Sequence, residues 1–375
     1  MGIHRHNFSD RFISAVQDSV ETDALETVVA SHLLSYLHDK MKAAGGNPKS
    51  RKSFGNIYAI FVVVEDYRSK IENPDDQLEV IDYAPARFGD LFTRQRELFG
   101  GAKLQNHALN ERCNSEFVKV MRKKGFTDSA GPIIRDQATE DYWVNQEYLI
   151  VEVGDDIVNI SAAVISVVEE YIGILQEQFT GFIEYIEHVI SKDDQKRAHD
   201  LILTNLGDDS DARLFEITSF SIMHCFFSQN STYIGPSRTH LRKVPWTLYK
   251  TGRTNANDGG IDFVLKPFGN FFQVTEDTNV TKWFLDIDKV ARYPITFVVK
   301  DSRTSAEIKQ EMNESAMGRG DLSEDDVFNM MACIEKIVNV PDLISMFEDC
   351  IEKGLLGCIM NQILEQSRVE FNIGD

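Results

Sequence analysis

Apolar and polar positions change period along this 375-residue chain, and each change marks an element. Residues 10–43 keep a helical period and predict one amphipathic helix or two, closed by AAGGNP. SFGNIYAIFVVVEDYRS (53–69) holds an unbroken apolar run at 58–64 and predicts a strand. Residues 87–124 predict two helices interrupted by GGAKLQNH, the second being ERCNSEFVKVMRKK, and YWVNQEYLIVEV (142–153) predicts a strand. Residues 157–190 and 193–206 read as acidic helices. DARLFEITSFSIMHCFF (211–227) predicts a buried helix, with apolar residues at 214, 217, 220, 223 and 227. TLYK (247–250) predicts a short strand, and NVTKWFLDIDKVARYP (279–294) a helix stopped near Pro294. ITFVVK (295–300) is apolar without alternation, as in a strand covered on both faces. From about 303 the chain reads as helical, with SEDD at 323–326 as a cap.

The stretch DGGIDFVLKPFGNFFQVTE (258–276) predicts a β-hairpin, its strands IDFVLK and FFQVTE joined by PFGN. Closure over Pro267–Asn270 sets Lys266 opposite Phe271, Val264 opposite Gln273, Phe263 opposite Val274 and Asp262 opposite Thr275. By alternation Asp262, Gln273 and Thr275 share one face. Ile261, Phe263, Leu265, Phe272 and Val274 share the other, which is expected to be core. A polar face on an amphipathic hairpin is ordinary, so the hairpin alone decides little.

The order of elements from 211 to 300 is helix, strand, strand, strand, helix, strand. With an acidic residue on the first helix, a GGID strand and a Gln-x-Thr strand, it resembles the PD-(D/E)XK nucleases. RLFEITSF, TGRTNANDGGIDF and FFQVTE are similar to stretches of type II restriction endonucleases, most of all the ApaLI-like enzymes. The resemblance implies an α/β (α+β) fold whose core is a mixed central sheet flanked by helices. A helix-rich part would precede that core and a helical part would follow it. It implies a metal-binding Asp262, Gln273 as the second ligand one strand later, and Glu216 as the helix carboxylate. Thr275 stands where that family carries a catalytic lysine, and a threonine cannot supply a positive charge. Lys250 and Lys282 are the candidates to replace it, Lys266 being about 13 Å along the strand from Asp262.

These residue types suit phosphodiester hydrolysis. A hard cation such as Mg²⁺ takes oxygen ligands, activates water and neutralises charge on the phosphate. A Gln ligand adds no charge, so weak metal binding is expected. Gly259 and Gly260 would let the backbone approach a phosphate, or simply make a turn.

Charge changes the picture next. The chain carries a formal net charge of −20, which by itself disfavours nucleic acid. Its distribution is uneven: residues 301–375 are net −10 and residues 151–211 net −11, while residues 87–124 are net +5. Residues 238–253 hold five bases and no acid, among them Arg242, Lys243 and Arg253, all candidates for DNA contact. Upstream, the pair of helices followed by a strand resembles a helix-turn-helix with a wing. That resemblance makes Arg112, Lys119, Arg122, Lys123 and Lys124 candidates for a DNA groove or backbone. A solvated helix face is the plain alternative for each basic run.

No apolar run approaches the roughly 20 residues of a membrane span, and MGIHRHNFSD has no apolar signal stretch, so a cytoplasmic protein is expected. Five cysteines without a Cys-x-x-Cys pair are expected to be reduced thiols. Three parts are expected: 1–206 for recognition and dimerisation, 207–302 as catalytic core, and 303–375 as a helical region. The expected function is that of a Mg²⁺-dependent type II restriction endonuclease, cutting both strands of double-stranded DNA at a short site. The family implies a homodimer and a cognate DNA methyltransferase. The alternatives are a repair or modification-dependent nuclease of the same fold, and an inactive DNA-binding protein.

Overall fold

The computed structural model describes residues 8–42, 54–101, 104, 106–127, 129–251 and 261–371. The chain divides into two compact units, Met1–Thr180 and Gly181–Asp375.

The first unit opens with α1 (Phe8–Gln17), α2 (Ala24–Ala30), α3 (His32–Met41) and α4 (Phe54–Lys70). The strand expected over 53–69 is therefore a helix. Its apolar residues are continuous because α4 is enclosed: Ile57 to Val64 are all buried, and Tyr67 a turn later. A helix buried on every side has no polar stripe, so period alone cannot separate it from a buried strand. Next come β1 (Ala86–Arg87), α5 (Phe88–Glu97), a wide turn at Ala108–Arg112, and α6 (Cys113–Lys123). β2 (Ile133–Asp136) and β3 (Asp141–Val144) form a hairpin, and β1 pairs with β3 to complete an antiparallel sheet of order β1-β3-β2. The single strand expected over 142–153 is broken after Val144 by a turn at Gln146–Tyr148, and β4 (Ile150–Val153) pairs instead with β5 (Asp156–Asn159). α7 (Ser161–Ser191) runs across the division between the units.

The second unit contains α8 (Gln195–Leu206), α9 (Ala212–Ser228), an exposed ribbon of β6 (Ser231–Ile234) with β7 (Arg242–Pro245), then β8 (Thr247–Lys250). β9 (Phe263–Lys266), β10 (Asn270–Thr275), α10 (Val280–Lys289) and β11 (Ile295–Val299) follow. α11 (Ser305–Met317), α12 (Glu324–Ala332), β12 (Ile334–Val338), α13 (Val340–Glu352) and α14 (Leu356–Phe371) complete it. Residues 303–375 are not purely helical, because β12 is an edge of the main sheet, of order β12-β11-β10-β9-β8. β8, β9 and β10 are an antiparallel meander, while β11 is parallel to both β10 and β12.

Helices cover both faces of this mixed sheet, and two cores result. On one face Leu248, Phe263, Leu265, Phe272 and Val298 pack with α8, α9, α13 and α14. On the other, Ile295, Phe297, Val299 and Ile337 pack with α10, α11 and α12, with Trp283 stacked on Phe297 at 3.9 Å. Val298 and Phe297 bury opposite faces of one strand, which explains the unalternating run at 295–299. Ser323 caps α12 through a reciprocal pair with Asp326, as the SEDD stretch predicts. Among the described residues no helix is long and apolar enough to cross a membrane. The five cysteines are free thiols, with Cys113, Cys225 and Cys350 buried.

Candidate active site

The hairpin forms, but in a different register from the expected one. Asn270 pairs with Leu265, Phe271 with Val264 and Phe272 with Phe263. The turn begins one residue earlier than PFGN: the Lys266–Pro267 bond is cis, Gly269 has φ 76°, and the Gly269 N–H donates to the Leu265 carbonyl at 2.8 Å. The positive φ is the reason glycine sits at 269. The shift moves Asp262 away from Thr275, to the end of the regular pairing.

At Asp262 the ladder is irregular. The Asp262 N–H donates to the Phe272 carbonyl at 2.9 Å, the residue already opposite Phe263, so Asp262 and Phe263 form a β-bulge. The bulge deprives Val274 of a carbonyl partner, and Oδ2 of Asp262 accepts its N–H at 2.6 Å. On the other side the Thr251 N–H donates to the Asp262 carbonyl at 3.0 Å, and the Thr251 hydroxyl to the Ile261 carbonyl. The aspartate is thus fixed between β8 and β10, on the backbone of Phe272 and Val274.

Gln273 and Thr275 lie on the α10 side of β10, with Phe271. This face was expected to be an open polar surface. It is instead a second core over β10–β12, and Thr275 is 3% exposed. Over β8 and β9 the same face is more open: Tyr249 is exposed, with the Lys266 ammonium over its ring at 4.3 Å. Gln273 stands where covered and open halves meet. Its Nε2 donates to the Val274 carbonyl at 3.4 Å, while Oε1 is buried without a hydrogen-bond partner among the described residues. A buried amide oxygen left bare is costly, so it fits an acceptor site for a cation. The Thr275 hydroxyl takes the Asp277 N–H at 3.2 Å and receives Nζ of Lys282 at 3.2 Å. A cation from α10 therefore reaches the strand position that lacks a lysine of its own.

Glu216 and Lys250 are elsewhere. Lys250 is cross-strand from Phe263 and hence on the α9 face, where its ammonium pairs with Glu216 at 2.8 Å. The structure brings these two to each other and not to the side chains of Gln273 and Thr275. Glu276, on that same α9 face by alternation, pairs at 3.0 Å with Lys300. Sequence reasoning overlooked Lys300, whose side chain is 6% exposed and whose ammonium also donates to the Ser210 carbonyl at 2.5 Å. Its only signal was a cation closing an apolar strand. Among the described residues no three carboxylate, imidazole or thiol groups gather into a metal-binding cluster.

Of the DNA-contact candidates, Arg242 and Lys243 lie exposed on β7. Arg253 lies outside the described residues, as do Gly259 and Gly260. Arg112, Lys119, Arg122 and Lys123 are exposed along one side of the α6 region, opposite the buried Cys113, Phe117 and Met121. Among the described residues these four cations have no ion pair, whereas Lys124 pairs with Asp39 at 2.7 Å. The neighbouring β2–β3 hairpin carries Asp136 and Glu140 at its exposed tip, an unfavourable charge for a wing against phosphate. Compared with protein-family models, with curated proteins and with solved structures, the chain matches none.

Proposed function

We propose that this chain is a Mg²⁺-dependent endonuclease acting on double-stranded DNA, of the type II restriction kind, with a PD-(D/E)XK-like core in its second unit. The observation that carries the reading is the bulge at Asp262. It sets a carboxylate on the N–H of Val274, the residue after Gln273, whose buried Oε1 has no partner among the described residues. Asp262 and Gln273 would hold the ion, which when bound supplies an activated water and neutralises charge on the scissile phosphate.

The chain's own groups do the rest. The Val274 N–H fixes one carboxylate oxygen of Asp262 and so orients the group. The Lys282 ammonium, steadied by the Thr275 hydroxyl, offers a positive charge to a phosphate on the α10 side. One carboxylate and one neutral amide make a weak cation site, so cutting should need millimolar rather than micromolar Mg²⁺. A palindromic target requires two copies related by a twofold axis, and a cognate methyltransferase would protect the host's own sites.

The second reading is a DNA-binding protein that does not cut. It is favoured by the same hydrogen bond, since a carboxylate that replaces a missing ladder bond has a structural task of its own. Incubation of the full chain with plasmid DNA and Mg²⁺ decides: discrete fragments support the restriction enzyme, a smear a non-specific nuclease, and intact plasmid the second reading.

A further inference from the structure

The β6–β7 ribbon has no counterpart in the hydrophobic pattern. Ser231 to Ile234 pair antiparallel with Pro245 to Arg242, and every residue from Tyr233 to Lys243 is exposed. A free two-stranded hairpin is marginal in water, yet this one also presents apolar surface, with Tyr233 65% and Leu241 50% exposed. Its tip is nevertheless built. A Cβ on Gly235 would lie 1.7 Å from the His240 carbonyl oxygen, so the loop closes only on glycine. Nδ1 of His240 is hydrogen-bonded with the Ser237 hydroxyl at 2.8 Å. The charge is one-sided: no acidic residue occurs between Glu216 and Asp258, on a chain of net charge −20. Among the described residues Arg238, Arg242 and Lys243 have no ion pair.

We propose that this ribbon is a grip on double-stranded DNA, inserted in the major groove or laid along its phosphates. The choice of DNA as the polyanion rests on the nuclease reading; the ribbon's charge and exposure do not. A two-stranded ribbon fits the B-form major groove, about 12 Å wide, whereas the A-form groove of duplex RNA is too narrow to admit it. β7 leads through Trp246 into β8, and Trp246 meets Phe268 of the hairpin turn edge-on at 4.9 Å. The ribbon thus springs from the end of β8 remote from Asp262, about 14 Å away along the strand. That distance is about four base pairs at roughly 3.4 Å each, so the grip lies several base pairs from the bond to be cut.

The test uses the full chain and a short fluorescein-labelled DNA duplex, with Ca²⁺ in place of Mg²⁺, read by anisotropy across a salt series. The triple variant Arg238→Gln/Arg242→Gln/Lys243→Gln should bind at least about tenfold more weakly. Its salt slope should be shallower by about 0.9 for each phosphate that the variant no longer neutralises. The control Arg238→Lys/Arg242→Lys keeps the charge and should bind within about threefold of wild type. Equal affinity and slope in the Gln variant, or a wild-type chain that does not bind the duplex, overturns the grip. Equal displacement by single-stranded DNA or duplex RNA overturns the choice of duplex DNA. Plasmid cleavage judges the nuclease reading separately: ribbon-dependent binding without cutting removes the nuclease alone, and full-rate cutting by the Gln variant removes the grip alone.

Discussion

Nζ of Lys282 stands 3.2 Å from Oγ1 of Thr275, so a helix supplies positive charge to a strand position occupied by a neutral residue. Lys282 is exposed and Thr275 buried, so the contact directs the ammonium without enclosing it. Lys282→Met should lower the cleavage rate by about a hundredfold, the usual loss when one preorganised charge is removed. Duplex binding and thermal stability should stay near wild type. Unchanged cleavage would show that this cation serves the turn at Asp277 and nothing more.

Lys250 should behave in the opposite way. Its ammonium is engaged by Glu216 at 2.8 Å, with side chains 19% and 30% exposed. Lys250→Met should cost no more than about 1 kcal/mol of stability, measured by urea unfolding. Cleavage should remain within a few-fold of wild type. A hundredfold loss of rate at unchanged stability would return Lys250 to the reaction.

Gln273→Glu tests the weakness of the cation site. A carboxylate at 273 should lower the Mg²⁺ concentration for half-maximal cutting by about tenfold, the effect of roughly 1.4 kcal/mol. Without metal it should reduce the melting temperature, because a buried carboxylate is then left unpaired. A variant with an unaltered Mg²⁺ dependence would place the ion away from Gln273.

Much of the second unit was legible. Turn formers, β-branched runs and the cap at Ser323 mark its elements, and the apolar parity of Phe263, Leu265 and Phe272 picks the face that packs on α9. The errors have identifiable causes. A turn closing on Leu265 instead of Lys266 changes which residue meets Asp262, and nothing in PFGN distinguishes the two closures. The polar residues Gln273 and Thr275 suggested an open face because side chains from α10–α12, later in the chain, supply the cover. In α4 the run Ile57–Val64 has no period to read, since every direction is core. The Glu216–Lys250 and Glu276–Lys300 pairs depend on three-dimensional placement alone.

Acid sensitivity should appear at the link between β11 and α11. Hydrogen bonding from the Arg303 guanidinium holds the Asp301 carboxyl below its usual range, and burial opposes this only in part. A carboxyl depressed in the folded state stabilises fully above the unfolded value of about 3.9, and the contribution is lost as pH falls through the lower folded value. Asp301→Asn should therefore melt earlier than wild type at pH 7, and the two melting temperatures should converge below about pH 4. A gap of constant size across that range would mean the pair contributes no charge-dependent stability.

The most direct measurement is plasmid cleavage by Asp262→Asn. Asparagine keeps an oxygen to accept the Val274 N–H, so the bulge and the fold persist while the charge needed to hold Mg²⁺ is gone. The account predicts that wild type cuts plasmid in Mg²⁺ and that Asp262→Asn, equally stable and equally able to bind duplex DNA, does not. Cutting by the variant at the wild-type rate would contradict it.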